Sequence, residues 1–183
     1  MKKGLLLLFF TSSFTVYSFA QSAEQQKISS KNNGVSVSLG INLPVGDFSS
    51  THFMGIGVDF SPASHWFGLL KRKKIAFTYT GGAAYYFGKK ETVSSYPYQY
   101  PGYLFIHAFA GVLYNPVQKA GLKLTAGPAL GIYKGSSQFN IGSRLEASYY
   151  INKMLSVGPG ILFMKESGAD PIWSASFKAT LDL

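Results

Sequence analysis

From Phe139 to Ile151 the chain alternates. Phe139, Ile141, Leu145, Ala147, Tyr149 and Ile151 share one parity; Asn140, Gly142, Arg144, Glu146 and Ser148 share the other. A period of two makes this a strand with one apolar face. Seven further segments read the same way. Val35 to Leu43 sets Val35, Val37, Leu39, Ile41 and Leu43 against Ser36, Ser38, Gly40 and Asn42. Phe53 to Phe60 sets Met54, Ile56, Val58 and Phe60 against Gly55, Gly57 and Asp59. Lys74 to Phe87 is a strand whose small centre, Gly81-Gly82-Ala83-Ala84, leaves its facing open. Tyr103 to Tyr114 carries Leu104, Ile106, Ala108, Ala110 and Val112 on one face; Leu122 to Tyr133 carries Leu122, Leu124, Ala126, Leu130 and Ile132. Leu155 to Met164 alternates through Leu155, Val157, Ile161 and Phe163. Ile172 to Leu183 sets Trp173, Ala175, Phe177, Ala179, Leu181 and Leu183 against Ser174, Ser176, Lys178, Thr180 and Asp182.

Most of these strands approach the ~9–11 residues that a tilted strand needs to cross a bilayer. Pro128 and Pro159 fall inside two of them, and each lacks a ladder donor, so a bulge or kink is expected at both. The polar faces hold mainly Ser, Gly, Thr and Asn. A water-facing surface carries more Lys, Glu and Asp, and only 14% of this chain is charged. The apolar face is therefore predicted to look outward, around a narrow polar interior. A soluble lipocalin-like carrier, with the apolar face inward, is the competing architecture. An even strand number puts both ends of the barrel on one side. The outer loops are then Pro44–His52, Gly88–Gly102, Lys134–Gln138 and Lys165–Pro171. The inner connections are Ser61–Lys73, Asn115–Ala120 and Asn152–Met154. The first is long. It pairs an apolar stretch, Trp66-Phe67-Gly68-Leu69-Leu70, with the cations of Lys71 to Lys74, a pattern suited to a short interfacial helix or to a solvated loop.

The N-terminus adds an export signal. Lys2 and Lys3 precede the apolar run Leu5 to Phe10, and Ser18-Phe19-Ala20 provides a cleavage site after Ala20. Residues 1–20 are read as a signal peptide, 21–33 as a flexible polar leader and 34–183 as the barrel. Removing Lys2 and Lys3 lowers the formal charge from +9 to +7. The basic charge is not clustered like a nucleic-acid site, and export argues against a nucleic-acid partner. Cysteine is absent, which removes disulfides, thiol nucleophiles and zinc–thiolate sites. Twelve tyrosines, 15 phenylalanines and 20 glycines suit strands and tight turns.

Candidate chemistry is sparse. Asp59, Lys123, Arg144, Glu146, Lys178 and Asp182 all fall on inward parities and carry both signs, so they are read as a polar network in the lumen. His107 shares a face with Tyr103, Phe105 and Phe109, and Glu146 reaches it only across the lumen. No nucleophile motif accompanies it, so neither catalysis nor a cofactor is expected. His52, His65 and His107 lie at different depths, which disfavours a metal site. The distinctive surface feature is Tyr96-Pro97-Tyr98-Gln99-Tyr100-Pro101-Gly102-Tyr103. Tyr96, Tyr98, Tyr100 and Tyr103 could form a stiff binding loop for a surface ligand, or belong to an outer aromatic girdle.

The signal, leader, eight alternating strands and terminal strand together resemble the small outer-membrane β-barrel family: OmpA-like, OmpX-like and Bacteroidetes-type barrels. The final strand is similar to the signal that the outer-membrane insertion machinery reads, although Leu183 stands where an aromatic is usual. The resemblance implies an all-β, eight-stranded, up-and-down transmembrane barrel in the outer membrane. Its implied partners are outer-membrane lipids, lipopolysaccharide and that machinery. A structural or surface-interaction role is expected. A narrow passive pore and a barrel-embedded hydrolase are the alternatives within the fold.

Overall fold

The structure is a computed structural model that describes residues 34–62, 75–93, 96–117, 119–166 and 170–183. Alternating apolar and polar residues produce long strands: β1 (Val35–Val45), β2 (His52–Pro62), β3 (Ile75–Gly88), β6 (Tyr103–Val117), β7 (Ala120–Tyr133), β8 (Ser136–Tyr150), β9 (Leu155–Lys165) and β10 (Ile172–Asp182). A single helical turn, α1 (Phe48–Thr51), lies between β1 and β2. A small hairpin of β4 (Lys90–Val93) and β5 (Tyr96–Gln99) lies between β3 and β6. The long strands close in the order β1-β10-β9-β8-β7-β6-β3-β2. Closure leaves no strand edge unpaired, the condition under which a sheet can sit in hydrocarbon.

The two faces divide as the alternation predicts. Leu39, Ile41, Ile56, Leu145, Ile161 and Phe177 are exposed on the outer wall, whereas Ser38, Asn42, Asp59, Thr80, Arg144, Glu146 and Ser174 are buried inside. Ile141 is 67% exposed and its neighbour Asn140 only 2%. A lipocalin-like carrier has the opposite arrangement. Its apolar core would have to form from the parities that here hold serine, threonine and charge.

β3 settles the facing that its small centre left open. Ala76, Thr78, Thr80, Ala84 and Tyr86 are buried inside, and Tyr79 and Tyr85 are exposed. Gly82 pairs with Asp59, and a Cβ there would overlap Asp59 Oδ1 and the Val58 carbonyl oxygen. The glycine thus makes room for a lumenal carboxylate. Gly82→Ala is expected to destabilise the barrel by about 1–3 kcal/mol, the usual cost of overpacking, read as a lower urea midpoint with the barrel still formed.

Neither proline produces the expected bulge. The β7–β8 register runs unbroken through Pro128↔Ile141, and the β9–β10 register through Phe177↔Pro159. A proline lacks its donor toward one neighbour only. Accordingly, pairings drop out only on the other side, between His107↔Ala129 and Ala110↔Ala126 and between Glu146↔Gly160 and Tyr149↔Val157, with no shift of register. The register shifts lie elsewhere, at His52/Met54 in β2 and at Tyr114/Val117 in β6. The first turns His52 inward, away from its expected loop position, and leaves Phe53 exposed.

Two outer connections also differ from the expected loops. β7 and β8 join through the two-residue turn Lys134-Gly135, with φ of 52° and 78°. The Gly88–Gly102 segment contains the β4–β5 hairpin, which continues the β3–β6 ladder: Tyr86↔Tyr103 below, Lys90↔Gln99 above, and Tyr100 N–H donating to the Lys89 carbonyl at 2.9 Å between them. The expected signal peptide and leader, and residues 63–73 of the first inner connection, lie outside the described residues.

Candidate functional site

The lumen is filled in three layers. At mid-height, six side chains from five strands converge: Asp59 of β2, His107 of β6, Lys123 of β7, Arg144 and Glu146 of β8, and Lys178 of β10. Asp59 Oδ2 accepts from Arg144 Nη1 at 3.0 Å, and Asp59 Oδ1 lies 3.1 Å from His107 Nε2. Lys178 Nζ donates to both Asp59 and Glu146. Lys123 Nζ is 2.5 Å from Glu146 Oε2, and Arg144 Nη1 is 3.9 Å from Glu146 Oε1. Three cations therefore face two carboxylates, all nearly buried; the most open side chain, Lys123, is 18% exposed. Burial removes the hydration of each charge, so each depends on its partners. The Arg144 guanidinium also sits over the Phe109 ring at 5.7 Å, and His107 stacks on Phe105 at 5.0 Å.

The structure brings five of the six predicted network residues together. Asp182 stands apart: it accepts from Ser36 Oγ at 2.5 Å near the inner end of β1 and β10. It lies four positions beyond Lys178 on β10, about 13 Å along a strand. His107 also joins the network, and its carboxylate partner is Asp59 of β2 rather than Glu146.

Above the charged layer lies an aromatic plug. Phe48 of α1 enters the mouth and packs on His52, Tyr86 and Tyr103 at ring separations of 4.5, 5.0 and 5.6 Å. Phe105, Leu162, Met164 and Ile172 fill the space around it. His52 is pinned by Thr51 Oγ1 at 2.8 Å and the Pro101 carbonyl at 3.2 Å. The Glu166 carboxylate accepts from Tyr103 O–H and, at 3.3 Å, from Asn140 Nδ2. Phe48 and Glu166 carried no periodic signal because both lie outside the barrel strands. Below the charged layer, Ser38 and Thr180 hydroxyls meet at 2.7 Å beside a cavity of about 20 Å³ bounded by Lys123, Glu146, Ser148 and Lys178. That volume holds about one water. By contrast, an apolar groove of about 640 Å³ lies on the outer wall, between residues such as Leu39, Ile56, Tyr85 and Phe177.

The tyrosine segment divides. Tyr96 is 77% exposed and Tyr98 is 40% exposed on β5, whereas Tyr103 is 4% exposed and belongs to the plug. The parity that Tyr103 shares with Phe105 and His107 already carried that signal. Tyr98 and Tyr100 meet edge to face at 5.0 Å, and Tyr100 O–H donates to Glu91 at 3.4 Å.

Catalysis requires a nucleophile or activated water at the base. Among the described residues no serine or threonine hydroxyl is hydrogen-bonded to His107, whose Nε2 faces Asp59 and Arg144. Also among them, no cluster of three His, Cys, Asp or Glu suits a metal ion.

An apolar outer wall, a closed eight-strand ladder and a packed polar lumen define a small outer-membrane-type β-barrel. Solved structures of that class share the architecture. The Yersinia pestis outer membrane protein Ail, determined in a phospholipid bilayer nanodisc, is similar with a TM-score of 0.58 and 10% identity, over 83% of this chain and 100% of that one. The N-terminal β-barrel domain of Pseudomonas aeruginosa OprF is similar at 0.53 and 10% identity, over 83% of this chain and 98% of that one. The outer membrane enzyme PagL is similar at 0.50 and 14% identity, over 80% of this chain and 98% of that one. At these identities the likeness is one of fold. No family model matches the chain. No curated protein matches its sequence.

Proposed function

We propose that this protein is an integral outer-membrane barrel with a structural or surface-interaction role, without catalysis or bulk transport. Export with cleavage after Ala20, and delivery to the outer-membrane insertion machinery, form part of the same proposal. The carrying observation is the filled lumen. Phe48, Tyr86, Tyr103 and Phe105 occupy its outer part, and Asp59, Arg144, Glu146 and Lys178 bridge its middle. An eight-strand barrel is just wide enough for its own side chains to fill. A solute would have to displace buried, mutually paired charges, and solution-exposed function is left to the outer loops. PagL shows that this fold also hosts an enzyme, but among the described residues the His107–Asp59 pair has no hydroxyl partner, and it lies beneath the plug.

Reconstituted into planar bilayers, the full mature chain is expected to insert and leave the membrane electrically silent. Reproducible unitary conductance steps would replace this proposal with a pore.

A further inference from the structure

We propose that the outward face of the β4–β5 hairpin is a saccharide-binding platform for the lipid-linked sugars of the surrounding outer leaflet; this rests on the outer-membrane placement proposed above. Register supplies the direction. β4–β5 resumes the β3–β6 register beyond an interruption at Lys89 and Tyr100–Gly102, and counted across it the parity that points to lipid on β3, at Tyr79 and Tyr85, falls on Lys89 and Glu91. Across the ladder, Tyr100 is opposite Lys89, Tyr98 opposite Glu91 and Tyr96 opposite Val93. All three tyrosines therefore share the face turned away from the barrel axis, while Pro97 and Gln99 take the face over the mouth. A ligand on this face approaches from the membrane surface.

Height supplies the second argument. With a rise of ~3.3 Å per residue and a tilt of ~40°, the Tyr100, Tyr98 and Tyr96 rungs stand ~5, ~10 and ~15 Å above Phe87. The interfacial zone of a bilayer is only about 5–7 Å deep on each side. Tyr100 fits a girdle position, and the outer rim already has girdle aromatics in Phe53, Tyr85 and Phe87, whose rings touch at 5.9 and 5.3 Å. Tyr96 and Tyr98 rise beyond that zone, to the level where a glycolipid carries its sugars.

Chemistry supplies the third. Tyrosine offers an apolar ring face with a polar edge at low entropic cost, which matches a pyranose with its C–H face and hydroxyl rim. Glu91 and Lys89 add an acceptor and a donor on the same face. The described outer segments balance four lysines (Lys89, Lys90, Lys134, Lys165) against four acids (Asp47, Glu91, Glu166, Asp170), so no single-sign field selects a polyanion or polycation.

The test uses the mature chain labelled with 3-fluorotyrosine, in nanodiscs of phospholipid alone, with lipid A, or with sugar-bearing lipopolysaccharide. Fluorine resonances of Tyr96 and Tyr98, assigned with Tyr96→Phe and Tyr98→Phe, are expected to shift only in the third. Lipopolysaccharide retention is expected to fall roughly tenfold in a Tyr96→Ala/Tyr98→Ala variant whose heat-modifiable gel mobility is unchanged, from the loss of two aromatic contacts. Equal shifts in phospholipid or lipid A discs would make these residues interface anchors and overturn the proposal. Equal shifts with delipidated saccharide added from water would overturn the lipid-linked source. A chain that fails to insert, shown by unchanged gel mobility on boiling, would remove the outer-membrane placement itself.

Discussion

Replacing Asp59 with alanine is expected to destabilise the barrel by about 3–5 kcal/mol, the cost of stranding buried charge. Asp59 is the acceptor for Arg144 at 3.0 Å and for Lys178, and it faces His107 at 3.1 Å. Without it, Glu146 alone answers Lys123, Arg144 and Lys178. The surplus positive charge stays in a narrow lumen that admits little water. Asp59→Asn keeps the volume and is expected to lose most of the same stability. Asp182→Ala is the control: it removes one hydrogen bond from Ser36 at the inner end and is expected to cost about 0.5–1.5 kcal/mol. Urea unfolding in lipid vesicles, followed by tryptophan fluorescence, reads all three. Equal losses for Asp59→Ala and Asp182→Ala would show that the charged layer carries no special load.

The second large effect is on the outer wall. Leu145→Arg is expected to cost about 2–4 kcal/mol in a bilayer, because Leu145 is exposed near the middle of β8 where hydrocarbon surrounds it. In a water-facing position the same change stays within about 0.5 kcal/mol. The comparison is internal, since Arg144 one residue earlier is an arginine that the fold requires. A folding midpoint unaffected by Leu145→Arg would mean that this face does not meet lipid.

Strand identity and facing were legible because they are local. Alternation in β1, β8 and β10 is nearly perfect, and each residue's parity states its face without reference to any partner. The charged layer was partly legible for the same reason: inward parity selected Asp59, Lys123, Arg144, Glu146 and Lys178. Parity gives direction and leaves depth open, so Asp182 was grouped with them although it lies at the inner end. Partner choice across the lumen depends on shear, which no single strand encodes; hence His107 meets Asp59 from β2. Pro128 and Pro159 suggested bulges, but the closed ladder holds their registers from the opposite side. The β4–β5 hairpin was hidden by Gly88 and by Pro101-Gly102, which read as loop and in the structure mark an interruption in one long ladder. Phe48 was invisible because a plug residue belongs to no periodic element.

The central claim is that the apolar parity meets lipid and the polar parity meets a packed lumen. The chain contains no cysteine, so single cysteines can be introduced and spin-labelled without altering the background. Nitroxides at Leu145 and Ser148 of β8, in the protein folded into vesicles, report their surroundings through collisions with dissolved oxygen and with a water-soluble nickel chelate. The barrel described here predicts oxygen-dominated relaxation at position 145 and shielding from oxygen at position 148. Chelate-dominated relaxation at 145 with an oxygen-accessible label at 148 would invert the faces and contradict it.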